Sequence, residues 1–246
     1  MLNTLLMFLL SPLLILQGVW TRYKTEKLPE PKGDRSGNIN CSNKFSTNKT
    51  LTMWVIGDSA AAGVGVESQK SALTGLISMS LSKRHNVNWQ FIAKTSYTTH
   101  DMLNHLSNIK HQPVDLVICS LGVNDVTSFI SKESWLLKKE LLIRRLIKNY
   151  KAKLIIMSSL PPMGKFPALP QPLRYFLGQR ADQFSLALLE LCERYHGVIY
   201  LPFDQPLKAE FMATDGFHPG KEIYRQWAER VTGCIENELN FENDKN

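Results

Sequence analysis

The chain has 246 residues, a hydrophobic fraction of 43% and a formal net charge of +7. That length suits one domain of roughly 200 residues with an appendage, and the apolar content permits a full core. The basic residues are spread along predicted helices beside acidic ones, and no nucleic-acid-binding motif accompanies them. Together these argue against a nucleic-acid partner and leave attraction to an anionic membrane surface as the better use of the charge.

Residues 1–20 are almost wholly apolar, with LLMFLLSPLLIL at their centre. The run is close to the roughly 20 residues needed to span a bilayer. An uncleaved anchor, a cleaved signal peptide and a membrane-surface helix are the competing readings. No Lys or Arg precedes the run, no Ala-x-Ala site closes it, and Arg22, Lys24 and Lys27 follow it. These features favour a membrane anchor of one N-terminal helix, with Pro12 tolerated inside it. Positive charge after the span places the globular domain on the cytoplasmic side, with a periplasmic or exported domain as the alternative. Residues 21–50 read as a flexible linker, because KLPEPKGDRSGN is rich in Pro, Gly and charge and has no apolar period. Two sequons, Asn40-Cys41-Ser42 and Asn48-Lys49-Thr50, carry meaning only in a eukaryotic secretory pathway.

From residue 51 to 239 the pattern alternates and predicts a single domain, followed by a polar tail at 240–246. Apolar runs of strand length occur at 52–56, 87–93, 115–121, 153–160 and 197–201. Helical spacing fills 68–85, 99–109, 132–150, 174–195 and 219–239. Strands apolar on both faces, alternating with amphipathic helices, predict an α/β fold with a five-stranded parallel sheet covered on both sides. Residues 161–173 hold five of the chain's twelve prolines and read as a structured loop. Cys41, Cys119, Cys192 and Cys234 show no CxxC spacing and no histidine-rich neighbourhood, so no metal site is expected.

In such a sheet, ligands sit beyond the carboxyl ends of the strands. Ser59 follows the first predicted strand, Ser96 to Thr98 the second, Asn124 the third, and Asp215 and His218 the fifth. A serine, an acid and a histidine are the parts of an acyl-transfer site, here in the order Ser…Asp…His. Ser59 needs a base to become nucleophilic, and small residues after it (AAAGVG) let a substrate approach. His218 is the candidate base, and Asp215, three residues earlier, can hold one ring nitrogen and leave the other for Ser59. Asn124 can donate its amide to a developing oxyanion, alongside the backbone N–H of Ser59 and of the loop after the second strand. Each residue also has a plain structural reading, as a cap or turn former. The convergence of four separate positions on one sheet edge is what favours chemistry. The Ser59 segment lacks the Gly-x-Ser-x-Gly elbow of the α/β-hydrolases and the Gly-Lys-Ser/Thr end of a phosphate-binding loop.

Gly57-Asp58-Ser59, Gly122-Val123-Asn124-Asp125 and Asp215-Gly216-Phe217-His218 resemble three motif blocks of the SGNH hydrolases, the GDSL-type esterase and lipase superfamily. The resemblance implies a flavodoxin-like three-layer α/β/α sandwich, Ser59 as nucleophile with Asp215 and His218, and no cofactor. Its membrane-anchored layout is similar to that of bacterial members. The family's second block offers a glycine to the oxyanion hole, and Ser96 stands in its place within Thr95-Ser96-Tyr97-Thr98. A backbone N–H survives that exchange. If the position requires a positive φ, serine is strained there, and Tyr97 is expected to narrow the acyl site. Phe166, Leu169 and Phe217 are candidates to line an apolar acyl site, against ordinary loop packing. The expected function is a serine esterase. The alternatives are an acyl- or acetyltransferase, a carbohydrate deacetylase, or a non-catalytic membrane-tethered binding domain. A lipid or cell-envelope ester is the substrate that an anchor would favour.

Overall fold

The computed structural model describes residues 2–41, 50–204 and 207–243. Both sequons run into 42–49, and the last three residues of the tail follow 243, so these lie outside the described residues.

The strands are β1 (Ser36–Ile39), β2 (Thr50–Gly57), β3 (Asn86–Ala93), β4 (Leu116–Ser120), β5 (Leu154–Ser158) and β6 (Val198–Leu201). The helices are α1 (Leu2–Lys24), α2 (Leu73–Leu81), α3 (Thr99–Ser107), α4 (Val123–Val126), α5 (Lys132–Tyr150), α6 (Leu173–Cys192) and α7 (Lys221–Asn243). One sheet runs in the order β1-β3-β2-β4-β5-β6. Its last five strands are parallel, and the order reverses between β2 and β4. That reversal is the place where an open α/β sheet forms a crevice beyond its carboxyl edge.

Side-chain parity along the strands divides the core in two. Trp54 and Ile56 of β2, Val117 and Cys119 of β4, and Ile155 and Met157 of β5 face one layer with α3, α5 and α6. Met53, Val55, Leu116, Ile118, Leu154 and Ile156 face the other, where Leu73, Ile77 and Leu81 of α2 meet Tyr224, Ala228, Val231 and Ile235 of α7. The strands read as continuous apolar runs because both faces are covered. Local signals set several helix ends. Thr98 and Asp101 form a reciprocal capping box at α3. Ser131 accepts from the N–H of Ser134 at the start of α5.

Two expectations are corrected. The sheet has six strands and is mixed, because four residues of the expected flexible linker pair antiparallel with β3, Ser36 opposite Gln90 and Ile39 opposite Val87. Without them β3 would present an open edge of unpaired backbone groups. Arg35 anchors this segment, with its guanidinium over the Phe91 ring at 4.3 Å and a hydrogen bond to the Ala93 carbonyl.

The membrane anchor expected at 1–20 is also corrected. Among the described residues no helix is long and apolar enough to cross a membrane. Helix α1 turns one side to the protein. The Gln17 amide donates to the Gln171 carbonyl (2.7 Å) and accepts from the N–H of Leu173 (3.1 Å). Leu14 packs on the core and Thr21 is buried. The membrane partner, and the cytoplasmic placement drawn from it, fall with the anchor.

Gly57 ends β2 where no side chain fits. A Cβ there would lie 2.3 Å from the Ser120 carbonyl oxygen and 2.4 Å from the Ala61 Cβ. Gly57→Ala is therefore expected to cost about 1–3 kcal/mol through overpacking, read as a lowered urea midpoint; an unchanged midpoint would show that the turn yields.

Candidate active site

Ser59 sits on the turn that leaves β2 at the crevice. The turn is closed by local bonds, Ala62 N–H to the Asp58 carbonyl (3.0 Å) and Val64 N–H to the Ser59 carbonyl (3.0 Å). Asp58 N–H reaches across to the Ser120 carbonyl of β4 (3.2 Å). From the other side the Tyr224 hydroxyl hydrogen-bonds to the carbonyls of Ala60 (3.0 Å) and Val64 (2.8 Å). Among the described residues only Ser96 and Lys151 are non-glycines with positive φ, so Ser59 itself is presented without left-handed backbone.

The structure brings Ser59, Asp215 and His218 together. Ser59 Oγ lies 2.9 Å from His218 Nε2, and His218 Nδ1 lies 2.5 Å from Asp215 Oδ2. A carboxylate only accepts, so Nδ1 carries the proton and Nε2 is left to accept from the serine hydroxyl. Asp215 Oδ1 accepts the backbone N–H groups of Phe217 and His218, both at 2.9 Å. The Asp215 side chain has no exposure. Burial pushes its pKa up, but the hydrogen bonds from His218 and Phe217 outweigh this and hold it below the ordinary value of 3.8. Asp215 is thus ionised at neutral pH.

The loop that presents His218 is seated against the serine turn and the proline-rich segment. A Cβ on Gly65, whose φ is +106°, would lie 2.2 Å from the Pro219 carbonyl oxygen. That close approach needs a glycine. On the other side Ala168 N–H donates to the Gly216 carbonyl (3.2 Å), and the Phe166 and Phe217 rings meet edge to face at 5.1 Å. Phe166 and Phe217 line a cavity that opens on Ser59, His218 and Asn124. Leu169 packs in the core instead.

Asn124 belongs to this cavity, and one of its amide hydrogens is used: Nδ2 donates to the Tyr97 carbonyl at 3.0 Å. An NH₂ group has a second hydrogen to offer. Asp125, 1% exposed, accepts from Thr99 N–H (3.0 Å) and Thr99 Oγ1 (2.8 Å), and so ties α4 to the start of α3.

Ser96 lies outside the residues that line the cavity. It is exposed, at the third position of a turn closed by Tyr97 N–H to the Lys94 carbonyl (3.1 Å), with φ at 70°. The third position of a type II turn takes positive φ and favours glycine. Tyr97 does not narrow the cavity, because its hydroxyl is turned to His105 Nδ1 at 2.9 Å.

A model of the GDSL-like Lipase/Acylhydrolase family matches residues 55–226. The chain belongs to this family. It is an ester-hydrolysing enzyme. No curated protein matches it. Among solved structures, a carbohydrate esterase family 2 enzyme of Corynascus thermopiles (Myceliophthora fergusii) superposes with a TM-score of 0.62 at 14% identity, covering 77% of this chain and 67% of that one. The esterase EstA of Pseudoalteromonas sp. gives 0.58 at 17% identity, covering 77% and 98%. Phospholipase A1 of Streptomyces albidoflavus gives 0.55 at 15% identity, covering 74% and 98%. At these identities the likeness establishes the fold.

Sequence reasoning gave no role to two residues that shape the GDSL-like site: Tyr224, and Asp58, which it quoted only as part of the first motif block. No motif marks Tyr224; only its place on the inward face of α7 selects it. Asp58, 3% exposed, is pushed up to about 6 by burial, partly offset by the Ala60 N–H and the charges of His218 and Lys139. Its folded pKa lies above the unfolded one, so the native state holds the extra proton between them. The associated stability is full below the unfolded value of 3.8 and is lost as pH rises through about 6. Asp58→Asn is expected to stabilise the protein by up to about 3 kcal/mol at pH 8 and by little at pH 4, compared by urea unfolding at both. A gain independent of pH would count against a buried charge as its cause.

Proposed function

We propose that the chain cleaves a carboxylic ester through an acyl-enzyme, with Ser59 as nucleophile. Ser59 Oγ attacks the ester carbonyl carbon while His218 Nε2 takes its proton. Asp215 keeps Nδ1–H in place and stabilises the imidazolium that forms. The Ser59 N–H and the free Asn124 amide hydrogen are the donors assigned to the oxyanion; Ser96 does not line the cavity. The tetrahedral species then collapses, the C–O bond to the alcohol breaks, and the leaving oxygen takes the proton from Nε2. Water attacks the acyl-enzyme in the same way, giving up a proton to His218 and releasing the acid and Ser59.

The observation that carries this reading is the unbroken chain from Ser59 Oγ through the His218 ring to an ionised, buried Asp215, opening on an apolar cavity. Family membership agrees with the reaction class.

Ser59→Ala is expected to lower kcat for p-nitrophenyl ester hydrolysis by at least about 10⁴-fold, with the unfolding midpoint nearly unchanged. Wild-type turnover by this variant would sink the assignment. Asn124→Ala is expected to lower kcat by about 10²–10³-fold with KM little altered, as for loss of one oxyanion donor. A rise in KM alone would instead make Asn124 a substrate-binding residue.

A further inference from the structure

The cavity does not stop at His218. It continues along the carboxyl edge of the sheet, between the ends of β4, β5 and β6 and one face of α7. Leu121, Leu160 and Leu201 line it from the strand side, and Ile223 and Trp227 from the helix. From β2 to β6 is three strand spacings, roughly 14 Å in all. Along α7 the lining residues run from 223 to 230, a rise of about 10 Å.

The far end is built from fixed groups. Trp227 Nε1 donates to Ser158 Oγ at 3.1 Å. The indole stacks on the ring of Tyr224, with centroids 6.3 Å apart and planes at 12°. Tyr224 is itself held by the serine turn, so one wall of the channel is tied to the site it leads from. Arg230, which lines the cavity beyond β6, donates to the Pro202 carbonyl at 2.6 Å and pairs with Asp204.

We infer that this channel holds the acyl chain of the substrate, and that the chain is unbranched and of medium length. The inference rests on Ser59 as the acyl acceptor. An extended chain advances roughly 1.2 Å per bond, so about eight to eleven bonds fill roughly 10–14 Å. Each methylene added within that length leaves water for an apolar wall and favours binding. A longer chain meets Trp227 and Arg230 and must bend back.

The test uses the full chain. kcat/KM is measured on p-nitrophenyl esters from acetate to myristate, for the wild type and Arg230→Ala. Separately, the Tm of Ser59→Ala is followed with sodium acetate and with sodium decanoate at equal concentration. The wild type is expected to peak at octanoate or decanoate and to fall at least tenfold by myristate. Arg230→Ala opens the end and is expected to raise the myristate-to-octanoate ratio at least fivefold. Decanoate, and not acetate, is expected to raise the Tm of Ser59→Ala. A serine-dependent enzyme that peaks at acetate overturns the channel and keeps the esterase. An unchanged chain-length profile in folded Arg230→Ala overturns the assigned end. Hydrolysis that survives in Ser59→Ala overturns the nucleophile instead. Decanoate then still decides the channel: stabilisation retains an acyl-chain site, and its absence removes it.

Discussion

The active site depends on how closely two backbones approach at the carboxyl end of β2. Gly57 lies against the Ser120 carbonyl with no room for a Cβ, and Asp58 N–H bonds to that same oxygen. The close contact turns the chain sharply at the crevice between β2 and β4 and leaves Ser59 at its mouth. A second close approach, Gly65 against Pro219, seats the His218 loop on the far side of that turn. Two glycines thus set the separation of groups that stand 159 residues apart in the chain. A rigid scaffold is what such a hydrogen-bonded chain requires, since small displacements would break the 2.9 Å contact of Ser59 with His218.

Beneath the crevice the protein accepts buried polar groups that a core would ordinarily exclude. Lys139 is fully buried, donates to the Leu121 carbonyl at 2.8 Å and lies over the Trp135 ring at 5.5 Å. Asp58 and Asp125 are buried nearby, and the charges of Lys139 and Asp125 act on Asp58 in opposite directions. Burial of such groups is costly unless each is bonded. Here the bonds go to the turns that carry the site: Lys139 to the residue before Gly122, Asp125 to Thr99, Asp58 to Ala60. The polar layer fixes loops that the apolar layers cannot reach, because the sheet ends there.

The proline-rich segment has a similar part. It cannot form a long helix or a central strand, and it wedges between α6 and the His218 loop. Met163, Phe166 and Leu169 are buried in the core layer, while the Phe166 ring also meets Phe217 at the cavity wall. Gly164 and Gly178 let this segment lie against α6, with a Cβ on Gly178 only 2.7 Å from the Gly164 Cα. One loop therefore joins the core to the substrate side of the site.

Much of this was legible in the linear sequence, for a local reason. Apolar runs bounded by turn residues report burial on both faces, so five parallel strands and their helices followed from period alone. Ser59, Asp215, His218 and Asn124 could be picked out because each stands at a strand end beside small or turn-forming residues. The edge strand could not be read, because Ser36-Gly37-Asn38-Ile39 looks like a turn and pairs only through the open edge of β3. The apolar N-terminal run was read as an anchor, although Gln17 within it bonds to residues more than 150 positions away. The sequence by itself determined which residue types stand at each strand end, since period and punctuation are properties of neighbours. Only the tertiary structure decided which of those ends meet, how far Asp58 is desolvated, and that Trp227 and Arg230 of α7 line the same cavity as Ser59, since distance and burial are set by elements remote in the chain.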